Sequence, residues 1–162
     1  MSDLRVGIGY DVHAFAEDRA LVLGGVEVPH GRGLAGHSDA DVLTHALMDA
    51  LLGAMRAEDI GAHFPDTDEA LRAARSVELL ARVGELMRER GWRLLDADCV
   101  LVLELPKVSP YRDEMRRVMA HALGVDAERI GVKATTTEGL GFAGREEGVA
   151  AQAIVLLERV SP

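Results

Sequence analysis

The sequence predicts an α+β fold, a mixed β-sheet with helices packed on one face. Three observations predict it. Strand-like and helix-like segments follow one another along 162 residues with no repeat, no low-complexity tract and no linker. Gly24-Gly25 sits between two short apolar runs, a strong hairpin signal, while longer connections elsewhere suit crossovers. Hydrophobic residues make up 48% of the chain but aromatics only 4%, so the core is aliphatic. The length predicts one domain, residues 1–162. A sheet with helices on one face leaves the other face apolar unless something covers it, and for so short a chain self-association is the simplest cover.

The elements follow in order. Residues 4–15 read as a first strand and residues 20–29 as two short strands. Pro29 to Ser38 is a glycine-rich loop of the kind that moves beside ligand sites. Asp39 to Arg56 reads as the clearest helix, with Ser38 and Asp39 as natural N-caps and an apolar stripe through Leu43, Ala46, Leu47, Ala50, Leu51 and Ala54. Glu58 to Asp68 is irregular, since Pro65 forbids a continuous helix. Helical periodicity returns from Ala70 to Arg90 and stops at Gly91. Trp92 to Leu105 reads as a long, mostly buried strand, and Pro106 to Pro110 as a loop. Ser109 and Pro110 then open a helix that Gly124 closes. Arg129 to Thr136 is a strand, Thr137 to Glu147 is glycine-rich, and Ala150 to Glu158 is a closing strand.

Net charge is −9, which argues against nucleic-acid binding because that needs a basic surface. An anionic ligand would therefore rely on metal ions, a few placed basic residues or backbone N–H groups. Only Lys107 and Lys133 are lysines. Cys99, the single cysteine, lies in an apolar run and reads as a small core residue. No run approaches the roughly 18 apolar residues of a membrane span. The opening Met-Ser-Asp-Leu-Arg-Val has neither signal nor transit character, so a cytoplasmic enzyme, or a processed organelle protein, is expected.

Two stretches carry chemistry. Asp11 and His13 are two apart on the first strand, so both point to one face while Val12 points to the other. A catalytic zinc usually takes three protein ligands and leaves one position open. Asp41, His45 and Asp49 share a second stripe of the long helix. That stripe suits either a plain solvent face or a cleft. His45 is the best third ligand, and His37, in the loop before the helix, competes with it or contacts substrate. His30, His63 and His121 have no acidic strand partner nearby, and His121 reads as a surface or packing residue. The second stretch, Lys133 to Phe142, offers threonine hydroxyls and backbone N–H groups for phosphate and a carboxylate, Glu138, for a hard cation. The same threonines also suit a plain strand end.

The motifs Gly9-Tyr-Asp-Val-His-Ala-Phe15, Gly36-His-Ser-Asp-Ala-Asp-Val-Leu43, Asp59-Ile-Gly61, Phe64-Pro-Asp-Thr-Asp68, Lys133-Ala-Thr-Thr-Thr-Glu138 and Gly141-Phe-Ala-Gly-Arg145 occur in this order. Together, from about Arg5 to Leu157, they resemble the 2-C-methyl-D-erythritol 2,4-cyclodiphosphate synthase family of the non-mevalonate isoprenoid pathway. The resemblance implies a homotrimer, the sheets facing its inside, with active sites between subunits. It implies Zn²⁺ on Asp11, His13 and His45, and a second cation, Mg²⁺ or Mn²⁺, at Glu138. His37 and Thr136 match residues that act on the diphosphate. Ser38 matches a substrate contact, and Asp59, Ile60, Gly61, Phe64, Pro65, Asp66, Thr67 and Asp68 match the methylerythritol site. Leu103, Glu104, Leu105, Pro106, Lys107, Val108 and Ser109 match the cytidine pocket, with Lys107 near the phosphates, and Thr135 and Thr137 the phosphate contacts. Phe142, Arg145 and Glu147 match an axial channel that holds isoprenoid diphosphates. Two residues depart from the pattern: Glu104 stands where many relatives carry glutamine or another uncharged residue, and Ala143 replaces a common threonine. The implied reaction is intramolecular phosphoryl transfer on 4-diphosphocytidyl-2-C-methyl-D-erythritol 2-phosphate with release of CMP. A zinc phosphohydrolase on the same residues and a non-catalytic isoprenoid-binding module are the alternatives.

Overall fold

The structure, a computed structural model, describes residues 3–160. A five-stranded sheet runs in the order β4-β1-β7-β5-β6, where β1 is Leu4–Ala16, β4 Gly33–Leu34, β5 Trp92–Val102, β6 Ile130–Thr135 and β7 Gly148–Arg159. Only β5 and β6 are parallel, joined through helix α4 (Arg112–Leu123). The pairs β1–β4, β1–β7 and β5–β7 are antiparallel, so the sheet is mixed as expected. The short strands β2 (Leu21–Leu23) and β3 (Val26–Val28) form the hairpin around Gly24-Gly25, both glycines at positive φ. Tight hairpin turns need that backbone, and glycine adopts it without strain.

Helix α1 (Val42–Met55) lies across β1 and β7. Helices α3 (Ser76–Glu89) and α4 pack with it on the same side. Alternation explains the face each strand residue takes. Ala97, Cys99 and Leu101 of β5 and Val149, Ala151, Ala153, Val155 and Leu157 of β7 are all buried toward the helices. Burial drives the Cys99 thiol pKa up to about 12, so it is an inert core group. On the other face of β1, Leu4, Val6, Ile8, Tyr10 and Val12 are exposed, Ile8 at 67% and Val6 at 61%, with Ile154 of β7 beside them.

Gly7 and Gly9 decide how α1 sits. A Cβ on Gly7 would fall 1.9 Å from the Ala50 carbonyl oxygen, and one on Gly9 would fall 1.9 Å from that of Ala46. The helix backbone therefore rests directly on the strand backbone. The facing helix residues are small for the same reason: Ala46, Ala50 and Ala54.

Several expected boundaries move. The N-cap of α1 is Asp41, neither Ser38 nor Asp39. Nor does Asp41 face a cleft beside His45; it is fully buried. Its carboxylate accepts from the amides of Gly24 (2.9 Å), Gly25 (2.7 Å) and Thr44 (3.0 Å) and from the Thr44 hydroxyl (2.7 Å). Burial and the neighbouring Asp39 nevertheless raise its pKa. The apolar stripe of α1 is in fact nearly a whole surface, since Val42, Met48, Leu52 and Met55 are buried too. The irregular segment holds a short helix, α2 (Ile60–His63), and the glycine-rich one holds α5 (Gly141–Gly144). The helix expected from Ala70 starts at Ser76, because Ala73 takes a positive φ of 58° and breaks the run. Strand β5 ends at Val102 rather than Leu105, and α4 starts at Arg112 after a single 3₁₀ turn, Ser109–Tyr111. His121 is exposed, as expected.

Gly9→Ala is expected to destabilise the fold by about 3 kcal/mol or more, because a buried helix backbone cannot yield to the added methyl. Gly31→Ala, whose Cβ would meet nothing, is the control and should change stability by less than about 0.5 kcal/mol. Urea denaturation of the two variants compares them. Equal midpoints would show that the close contact does not seat α1.

Candidate active site

Strand β1 presents Asp11 and His13 to the helix side, and the first turn of α1 presents His45 to the same point. Asp11 Oδ2 is 2.9 Å from His13 Nε2 and 3.1 Å from His45 Nδ1. The two imidazole nitrogens are 3.2 Å apart. These three atoms make a nearly equilateral triangle. Four ligands around a tetrahedral ion at about 2.0–2.1 Å would stand about 3.3–3.4 Å from one another, so the triangle fits one face of such a shell. The three residues are half-buried and could hold a metal ion. His13 Nδ1 donates to the Ala35 carbonyl at 2.6 Å, which leaves its Nε2 lone pair for the triangle.

Charge reinforces the geometry. Burial opposes ionisation of Asp11, yet hydrogen bonds and charge from His13 and His45 hold its pKa down at about 2. Burial likewise opposes charging of His13, yet Asp11 raises its pKa above the ordinary value. A permanent carboxylate beside two imidazoles is a donor set for a divalent cation.

The triangle forms one wall of a cavity of about 250 Å³. His37 and Ser38 line it, as do Ile60, Gly61, Phe64 and Asp66. Helix α2 brings the last group in. Asp59 caps it by accepting from the Ala62 amide (2.9 Å), and Asp49 of α1 accepts from the Ile60 amide (2.8 Å). Asp68 does not reach the cavity wall. Its carboxylate accepts from the Ala70 amide, and its carbonyl lies 3.2 Å from His37 Nε2. Pro65 and Thr67 also stay off the wall.

The loop carrying His37 and Ser38, expected to be free to move, is tied on both sides. Arg19 donates to the carbonyls of Gly36 (2.8 Å) and Ser38 (2.6 Å). The Ala73 amide donates to the His37 carbonyl and the Asp39 amide to that of Ala74. Sequence reasoning missed Arg19, Ser76, Leu71 and Leu79. The last two are apolar cavity lining with no chemical signature. Arg19 and Ser76 touch the site across long sequence separations.

The remaining residues gather elsewhere. Leu103 to Ser109 follows β5, and Thr135 ends β6 with Thr136, Thr137 and Glu138 after it, at the same end of the sheet as the triangle. None of them lines its cavity. Strand β7 separates β5 from β1, which puts β5 about 10 Å away. Glu104 bonds the turn that follows β6. Its Oε1 accepts from the Thr137 amide (3.0 Å), the Thr137 hydroxyl (3.3 Å) and the Gly139 amide (3.4 Å), and these bonds lower its pKa. Thr136 Oγ1 accepts from the Glu138 amide (3.3 Å), while Glu138 and Lys107 are exposed. Lys133 pairs with Asp98, and Arg145 pairs with Glu147 at 3.0 Å. Phe142 is half-buried in α5. His30 packs against Phe15 with the rings tilted at 48°, and His63 bonds the Ala57 carbonyl, so neither joins the triangle.

Comparison with known proteins agrees with the motifs. The model of the YgbB family matches residues 4–158. The 2-C-methyl-D-erythritol 2,4-cyclodiphosphate synthase of Desulfitobacterium hafniense is 57% identical over 97% of this chain and 99% of its own. The synthase of the same name from Geobacillus thermodenitrificans is 56% identical over 96% of this chain and 97% of its own. Among solved structures, a 2C-methyl-D-erythritol-2,4-cyclodiphosphate synthase in its CDP-bound form superposes with a TM-score of 0.86 at 40% identity, covering 94% of this chain and 99% of that one. The bifunctional IspDF of Campylobacter jejuni superposes with a TM-score of 0.95 at 43% identity, and 99% of this chain corresponds to 44% of that one. Matched from residue 4 to residue 158 and more than half identical to the Desulfitobacterium and Geobacillus synthases, the chain belongs to the YgbB family, that of the 2-C-methyl-D-erythritol 2,4-cyclodiphosphate synthases.

Proposed function

We propose that this protein converts 4-diphosphocytidyl-2-C-methyl-D-erythritol 2-phosphate to 2-C-methyl-D-erythritol 2,4-cyclodiphosphate and CMP. The observation that carries the proposal is the Asp11–His13–His45 triangle on the wall of a cavity, in a chain whose relatives bear that activity in their names. An oxygen of the 2-phosphate attacks the β-phosphorus. The bond from that phosphorus to the bridging oxygen breaks, and CMP leaves with the electron pair. The nucleophile is already an anion, so the site needs no strong base; it needs orientation and relief of charge repulsion.

The residues divide that work. Asp11, His13 and His45 would hold Zn²⁺, which when bound supplies positive charge against the phosphates. His37 and Ser38 hold the diphosphate end, with His37 and Thr136 nearest the reacting groups. Asp59 and the segment Ile60 to Asp68 hold the polyol. The loop Leu103 to Ser109 takes the cytidine, and the CDP complexes of two structural relatives support such a pocket. Lys107 and the amides and hydroxyls of Thr135 to Thr137 meet the phosphates. Glu138, an exposed carboxylate, suits a cation such as Mg²⁺ or Mn²⁺ shared with substrate phosphates. Glu104 serves the Thr137–Gly139 turn rather than reading the base.

The apolar stripe of Leu4, Val6, Ile8, Tyr10, Val12 and Ile154 supports a homotrimer with the sheets facing inward. Copies arranged in that way would bring the nucleotide loops of one subunit to the triangle of its neighbour. Phe142, Arg145 and Glu147 would then line the axial channel for an isoprenoid diphosphate. A cytoplasmic location completes the reading. Among the described residues no helix is long and apolar enough to cross a membrane.

Phosphorus NMR of the reaction should show CMP and a cyclic diphosphate. Inorganic phosphate or an opened chain would instead establish the hydrolase. His45→Ala should lose zinc and cut turnover at least about a hundredfold, since charge stabilisation of the transferring group is the main catalytic term. Unchanged turnover in that variant would remove the triangle from catalysis.

Zinc loading should also depend on pH in a defined direction. In the metal-free protein Asp11 raises the His13 pKa, so protonated His13 stabilises that state at low pH and the contribution is lost as pH rises through the raised value. The proton and the metal compete for Nε2. The increase in melting temperature on adding zinc should therefore grow from about pH 6 to about pH 8. A gain independent of pH would show that zinc does not use His13.

A further inference from the structure

A fully buried serine stands behind the triangle, on an element that carries none of its ligands. Ser76 opens α3, and its Oγ lies 2.9 Å from His45 Nε2. The same hydroxyl bonds Asp39 Oδ1, while Asp39 Oδ2 accepts from the Ser76 amide at 3.1 Å. We propose that Ser76, held by Asp39, is a positioning residue for the metal centre: it sets which nitrogen of His45 carries the proton. The inference rests on reading the triangle as a metal centre.

For a neutral His45 imidazole, the donors and acceptors around Ser76 allow one assignment. A carboxylate only accepts, so the Ser76 hydroxyl gives its proton to Asp39. The Ser76 oxygen then has only lone pairs for His45 Nε2, which must be the protonated nitrogen. Nδ1 is left with its lone pair toward Asp11 Oδ2 and His13 Nε2. The assignment matters because a competitor stands opposite. The Asp11 carboxylate, 3.1 Å from Nδ1, draws the proton onto the very nitrogen a metal needs free. Asp39 through Ser76 draws it to the other side. Ser38 Oγ is a second acceptor for Nε2, but at 3.3 Å, and it also accepts from the Ala40 amide. His13 has the equivalent anchor in the Ala35 carbonyl. Among the described residues no backbone carbonyl meets His45 Nε2, and a side chain from α3 fills that place. Groups that orient metal-bound histidines in this way commonly govern metal affinity.

Ser76→Ala removes the hydroxyl and leaves the Asp39 bond to the amide of residue 76, so the tie between Asp39 and the start of α3 remains. Metal-free protein, ¹⁵N-labelled, is compared with the variant by two readouts: the His45 tautomer by ¹⁵N–¹H NMR, and zinc affinity by competition with a chromophoric chelator. The wild type should show His45 protonated at Nε2. The variant should shift toward Nδ1–H and bind zinc about 10–100-fold more weakly. Wild-type His45 protonated at Nδ1 overturns the inference without any variant. So does a Ser76→Ala protein whose zinc affinity stays within about twofold of wild type. A wild type that binds no zinc at all overturns the metal-centre reading, and this inference with it.

Discussion

The contact between the backbones of β1 and α1 governs the rest of the molecule. Gly7 and Gly9 let the helix settle onto the strand, with carbonyls of Ala46 and Ala50 where side chains would otherwise stand. Two residues further along the same face of β1 come Asp11 and His13, the first positions there with side chains that reach outward. They meet the helix at its first turn, where His45 is. The triangle of donors is thus a consequence of where glycine stops on β1. The other end of the constraint is Asp41. By binding the Gly24 and Gly25 amides while capping α1, it pins the start of the helix to the β2–β3 hairpin. Without that pin the helix could slide along the glycine track and carry His45 away from its partners.

Two aspartates near the site show how environment assigns roles. Asp11 is half-buried and faces two imidazoles, so it stays ionised far below neutrality and is suited to a cation. Asp41 is wholly buried with its carboxylate bonded by N–H and O–H donors, and burial and the neighbouring Asp39 raise its pKa. The first is poised for an exchangeable partner; the second is already saturated by the fold. The same contrast explains how a chain of net charge −9 accommodates an anionic substrate under the proposed function. Its attraction is local, in a metal centre and a few N–H groups and bases, rather than in a broad basic surface.

Much of this was legible in the sequence, and the limits are physical. The i, i+2 spacing of Asp11 and His13 gave one face, and helical spacing placed His45 on a stripe away from the apolar one. The strands and long helices followed from periodicity. Helices α2 and α5, each four residues, are too short to carry a period, and β4 is only two residues. The cap of α1 was misplaced because Ser38, Asp39 and Asp41 are all cap-type residues. Only the hairpin amides, 16 and 17 residues away, select Asp41. Ala73 at positive φ had no local signal, because alanine has no preference for that region. Ser76 and Arg19 reach the site across 31 and 17–19 residues, so no spacing rule could have found them.

The sheet order bears on why one subunit would not suffice under the proposed function. Insertion of β7 between β1 and β5 keeps the loops after β5 and β6 off the wall of the cavity, although they share its end of the sheet. A substrate with a nucleotide at one end and a polyol phosphate at the other could not use both sets in a cavity of about 250 Å³. The apolar stripe on β1 and β7 lies on the opposite face, where burial against other copies would release ordered water and stabilise association. One strand would then serve both purposes through its period of two. Odd positions of β1 seat the helix and carry Asp11 and His13, and even positions, Leu4 to Val12, form the exposed stripe that would meet the neighbours. A shift of one residue in the pairing of β1 with β7 would exchange the two sets, burying the stripe under α1 and turning Asp11 and His13 outward. Under the proposed function catalysis and assembly would therefore be fixed by the same register, and Gly7 and Gly9 enforce it because a Cβ at either position would strike the backbone of α1.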